Sequence, residues 1–206
     1  YGRERVWNDE RNFGKIITRP VDKRENYIKR CVGIPGDEIR MERTQLFING
    51  EPQIEIEGMQ HNHVVKTDGT SINPKALDRL NIAEDDRQLL SAGQYLLPLT
   101  DQMAEKLKSF ANVVSVEKIV QEPGEWDSSI FPSDRYFPWN VDNFGPLTIP
   151  AKGTVVQLTT ENLPLYERII NVYEDNTLRV KDGKIYINSE LAKNYKFKMN
   201  YYWMLG

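Results

Sequence analysis

The 206-residue chain has little of what builds cross-linked or metal-held proteins, with one cysteine and two histidines. A single cysteine excludes an intrachain disulfide and any zinc cluster made of cysteines. The two histidines, His61 and His63, fall short of a zinc site, which needs a third or fourth ligand. No metal and no cofactor is expected. Positive charge is not in excess either: 27 Lys and Arg stand against 30 Asp and Glu, a net charge of -3. Without a basic surplus to neutralise phosphates, no nucleic-acid partner is expected. No apolar run approaches the ~18 residues that cross a bilayer. A signal peptide is missing too. The chain opens on Tyr1 with YGRERVWNDE, mostly polar or charged, and reads as a piece excised from a longer protein.

What is present is globular. Hydrophobic residues make up 39% and aromatic ones 10%, enough apolar area to offset the entropy of ordering a chain. The length allows one or two domains. YIKRCVGI is rich in β-branched and aromatic residues and is followed by the turn signal Pro35-Gly36-Asp37. QLFING then reads as a strand closing on Asn49-Gly50, a hairpin dipeptide. Near the other end, TLRV and KIYINSE flank Lys181-Asp182-Gly183 as a second hairpin. QLFINGE and KIYINSE match position by position; we read them as two similar strand ends rather than a repeat array. Between these blocks, Asn73-Pro74 predicts a helix start. EDDRQLLSAG reads as a helix ending at Gly93, QYLLPL as extended, DQMAEKLKSF as a helix capped by Thr100 or Asp101, and Val113 to Val120 as a strand. Trp126 to Pro150 is loop-like, with six large aromatics that either pack on a β-core or dip into a lipid surface.

Few residues carry chemistry. His61 and His63, at i and i+2, share a strand face, read here as solvated. Phosphate-binding and dinucleotide glycine motifs are absent. Asp85-Asp86 suits a helix start by dipole alone. Cys31 reads as a small buried hydrophobe. Lys29 remains, a lysine in an otherwise apolar strand. Either it projects from an exposed edge, or it is dry enough to lose its charge and act as a general base.

A resemblance favours the second. ENYIKRCVGIPGDEI, Glu25 to Ile39, resembles the lysine box of bacterial type I signal peptidases, which runs as YIKR, two apolar residues, then G-[LI]-P-G-D. NYYWMLG, Asn200 to Gly206, is similar to the strand entering that family's last box, and GPLTIPAKG, Gly145 to Gly153, to its V-P-x-G phrase. The resemblance implies a mainly β fold: a coiled antiparallel sheet of the signal peptidase and LexA-like kind. Residues 1–58 and 131–206 would form the catalytic core, interrupted by an α+β insertion at 59–130. It also implies a membrane-bound serine endopeptidase that removes signal peptides from exported preproteins with a Ser-Lys dyad. Its place would be the bacterial cytoplasmic membrane, with the catalytic part on the outer face.

Residue by residue, Lys29 aligns with the family's base. Asn26, Tyr27 and Ile28 align with residues along the bound peptide, and Arg30 with an arginine that supports the site through an ion pair. Gly33, Pro35, Gly36 and Asp37 form the turn that fixes the strand. The implied partners are signal peptides and the membrane lipid surface. In the family the nucleophilic serine precedes the lysine box, and here no serine precedes Lys29. The chain alone is therefore expected to be inactive. The rival reading is a non-catalytic β-module that binds exported peptides or a partner protein. A self-cleaving repressor fits less well, since its lysine box lacks the G-[LI]-P-G-D turn.

Overall fold

The structure is a computed structural model, and it describes the chain except for residues 1–2, 19, 21–22, 24–28, 55–57 and 206. In chain order the helices are α1 (Arg3–Asn8), α2 (Glu10–Phe13), α3 (Pro74–Arg79), α4 (Asp101–Lys108) and α5 (Leu163–Arg168). The strands are β1 (Arg30–Gly33), β2 (Glu38–Glu42), β3 (Gln45–Ile48), β4 (Glu51–Pro52), β5 (His61–Thr67), β6 (Gln88–Ser91), β7 (Gln94–Leu99) and β8 (Val113–Lys118). They continue with β9 (Phe144–Thr148), β10 (Val155–Gln157), β11 (Leu178–Lys181), β12 (Lys184–Ile187), β13 (Glu190–Leu191), β14 (Asn194–Lys196) and β15 (Trp203–Leu205). The fold is mainly β, built from antiparallel sheets, as expected.

The chain divides into two compact units, residues 1–32 with 204–206, and residues 33–203. In the first, Asp9 caps α2 by accepting from the Asn12 N–H at 3.3 Å, the usual way to satisfy an orphan donor of a first turn. The β1 and β15 segments pair as a two-stranded ribbon.

The second unit holds three apolar clusters. One fills the space between the sheet β6-β7-β5-β8 and helices α3 and α4, around Val65, Leu77, Leu97, Leu99 and Leu107. Its helices start where the sequence says they should. Asn73 accepts from the Lys75 N–H at 3.0 Å with Pro74 at the first helical position, and Thr100 accepts from the Met103 N–H at 3.2 Å. The expected helix ending at Gly93 is instead a short 3-10 turn at Glu84–Asp86, followed by β6. Gly93, at φ +76°, sits in the β6–β7 hairpin, because Gln88-Leu96 and Leu89-Tyr95 pair as strands there.

The second cluster is Ile39, Leu147 and Ile149 under the sheet β4-β3-β2-β9, and the third surrounds Ile170, Ile185, Tyr195 and Phe197. The loop after β8 is not loop throughout, since β9 lies within it. Its aromatics mostly pack on the β-sheet side: Trp139 lies 4.5 Å from Phe144, Phe144 5.0 Å from Trp203, and Phe131 5.8 Å from Trp203, ring centre to ring centre. Only Trp126, Phe131 and Tyr136 stay exposed among the large rings of this loop.

The likeness of the two hairpins goes well past their strand ends. Residues 37–53 and 176–192 form two three-stranded meanders of one plan, β2-β3-β4 and β11-β12-β13, without a gap between them in alignment. Asn49 accepts the Glu38 N–H at 2.9 Å and donates to Asp37 at 2.8 Å. In the second meander Asn188 accepts the Thr177 N–H at 2.9 Å and donates to Asn176 at 3.0 Å. Positive φ recurs at matching tips, 46° and 74° at Arg43 and Thr44 against 50° and 69° at Asp182 and Gly183.

Candidate functional site

The lysine segment is built as a strand end followed by a tight turn. Lys29 lies just before β1 and is exposed, as is Arg30. Asn26, Tyr27 and Ile28 lie outside the described residues. Cys31, expected to be a buried hydrophobe, is exposed. Gly33 is there for lack of room: a Cβ would come within 2.3 Å of the Ile149 side chain and 3.0 Å of that of Ile39.

The turn is fixed by Asp37. Its carboxylate accepts the Ile34 N–H at 2.9 Å and the Asn49 amide at 2.8 Å. Those two bonds, the backbone one first, hold its carboxyl below the usual carboxylate range. The backbone carbonyl of Asp37 accepts the Ile149 N–H at 2.8 Å, and Gly36, at φ +95°, donates to the Ile149 carbonyl at 2.9 Å. Gly33, Pro35, Gly36 and Asp37 thus come together as one rigid corner over the Ile39–Ile149 cluster. Beside it, an open groove of about 800 Å³ runs along β2 and β9, walled by Trp139, Phe144, Pro146 and Arg40.

His61 and His63 share a face of β5, but that face is the interior one, not the solvated one. His63 is 4% exposed, with Nδ1 2.8 Å from the His61 carbonyl, and its burial lowers its pKa. Among the described residues no group of three or more His, Cys, Asp or Glu is arranged to hold a metal ion. Nor is any described helix long and apolar enough to cross a membrane.

One polar centre was not anticipated from the sequence. Glu174, 5% exposed, accepts from the Tyr195 hydroxyl at 2.5 Å, the Tyr201 hydroxyl at 3.0 Å, and the N–H groups of Lys198 at 2.8 Å and Met199 at 3.1 Å. Asn176 joins it, donating to Tyr195 at 2.9 Å. Burial, then the bond to the carboxylate, pushes both tyrosines well above their ordinary pKa. The sign that was available is the matched phrase itself. Asn176 occupies the place in the second meander that Asp37 holds in the first.

The family model "Signal peptidase, peptidase S26" matches residues 8–102, the stretch that holds the lysine segment and its turn. Over that stretch, just under half of its length, the chain is similar to the signal peptidases. It is 33% identical over 42 residues to signal peptidase IB of Staphylococcus aureus (strain N315), covering 20% of this chain and 22% of that protein. It is 39% identical over 36 residues to signal peptidase I P of Bacillus subtilis subsp. natto, covering 18% and 20% of the two chains. The matched part therefore spans about a fifth of the length of these relatives. No solved structure matches.

Proposed function

We propose that the chain is the β-rich body of a signal peptidase in which Lys29 is the general base. The observation that carries this reading is the lysine segment itself. Lys29 stands directly before a strand whose end and following turn are locked by Gly33 and Asp37, within the stretch matched to the family. A serine hydroxyl attacks the scissile carbonyl while the Lys29 amine takes its proton. The amine returns that proton to the leaving α-amine, and water then releases the acyl-enzyme. For this the amine must be neutral, so it must be covered by neighbours that desolvate it. Arg30 supports the strand through an acidic partner, and Asn26, Tyr27 and Ile28 line the bound peptide. The substrates are signal peptides, and the site works at the outer face of the cytoplasmic membrane, to which the enzyme is anchored.

Lys29→Met in the protein at its full native length should lower signal-peptide processing by roughly two to four orders of magnitude, measured by precursor-to-mature conversion. Unchanged processing would overturn the reading. The 206-residue chain alone, with no serine before Lys29, should leave an Ala-x-Ala peptide uncut. The exposure of Lys29 favours, as a second reading, a peptide-binding module without catalysis, and the same Lys29→Met measurement separates the two.

A further inference from the structure

The two meanders differ at their outer edge. In the first, the outer side of β2 is filled by β9, with Leu147 opposite Ile39 and Phe144 opposite Met41. In the second, β11 pairs only with β12 among the described residues. The hairpin register places Lys181 opposite Lys184 and Arg179 opposite Tyr186, with Thr177 and Asn188 bonded further along. Inward hydrogen bonding therefore falls on alternate residues, and the N–H and C=O groups of Leu178 and Val180 point away from the sheet. These are the positions equivalent to Ile39 and Met41, which β9 satisfies in the first meander. Val180 is 50% exposed.

Charge differs in the same place. In the first meander Arg40 pairs with Glu42 and lies 4.5 Å over the Phe47 ring. In the second, lysines stand where Glu42 and Gln45 stood. Arg179, Lys181 and Lys184 thus lie together on one exposed face, and none of them has a carboxylate within ion-pair distance among the described residues. Clustered cations along an open edge oppose pairing with a second copy of the same edge and favour an acidic strand, since opposite charges directly across a ladder attract.

We propose that β11 is a strand-acceptor site for an extended acidic peptide. The peptide adds antiparallel to β11, as β9 adds to β2, with apolar side chains opposite Leu178 and Val180 and carboxylates opposite Arg179 and Lys181. The site is independent of Lys29 and does not rest on the catalytic reading.

The test uses the 206-residue chain and two short synthetic peptides, one alternating Glu with Val and one alternating Lys with Val, followed by titration calorimetry and amide exchange. The Glu-Val peptide should bind and protect the amides of Leu178 and Val180, and the Lys-Val peptide should bind roughly tenfold more weakly or not at all. Val180→Pro removes an outward N–H, which an edge tolerates, and Lys181→Glu restores the Arg–Glu pair of the first meander. Each should weaken Glu-Val binding roughly tenfold while leaving thermal unfolding unchanged. Several results would overturn the proposal. These are no binding, equal binding of both peptides, binding indifferent to Val180→Pro, self-association through this edge in sedimentation, or adsorption to phosphatidylserine vesicles without peptide binding.

Discussion

Residues 37–53 and 176–192 share turns, register and an asparagine clamp, yet they are held from below by opposite means. The first meander stands on a corner of backbone bonds near the surface, in which Ile149 donates its N–H to the Asp37 carbonyl and accepts from the Gly36 N–H. The second stands on a buried carboxylate, Glu174, with four donors converging on it. One hairpin plan therefore tolerates very different supports, and the supports decide how firmly each copy is fixed. A buried acceptor is expensive to lose, because its donors are then left without water or partner. An exposed one is backed by solvent.

The strongest way to break the comparison is at that support. Glu174→Ala should destabilise by about 3 kcal/mol, since four donors lose their acceptor. Pro35→Ala, at the equivalent place in the first meander, should cost less than about 1 kcal/mol. Urea denaturation of both variants checks the contrast, and equal losses would refute it. A smaller effect is expected at the clamps. Asn188→Ala should cost about 2 kcal/mol and Asn49→Ala about 1 kcal/mol, because Asn188 bonds to the buried Asn176 whereas the Asn49 bonds are exposed.

The smallest effect concerns acid. The carboxyl of Asp37 is held below its ordinary range, so its contribution is present above the unfolded value and fades as pH falls through the folded one. The second meander has an amide, Asn176, in its place, a group that does not titrate. Asp37→Asn should make the first copy resemble the second and flatten stability below about pH 4, as read by thermal scans between neutral and acid buffers.

Local chemistry was legible where a residue's neighbours in sequence are its partners in space. Asp182-Gly183 at its hairpin tip and the caps Asn73 and Thr100 act within a few residues, and each stands where its type predicts. The misreadings share a cause. Gly93 suits a helix end and a hairpin tip equally, and only Leu89 pairing with Tyr95 across the turn decides. His63 looks solvated by composition but faces inward with Val65 and Leu97. Glu174 is one acidic residue before a turn, and its acceptor role depends on Tyr195, Lys198, Met199 and Tyr201, all well downstream. Arg179 and Lys181 look like ordinary surface charge until laid beside the Arg40–Glu42 pair.

The pairing of β1 with β15 also sets a clock. The strand that follows Lys29 has its ladder partner about 170 residues later, so on the ribosome, at about 5–20 residues per second, it waits roughly 10–30 s for that partner to emerge. During this interval the hairpins, which close over a few residues, are already made. The ladder of β1 is thus completed only after the hairpins that lie between its two strands have closed.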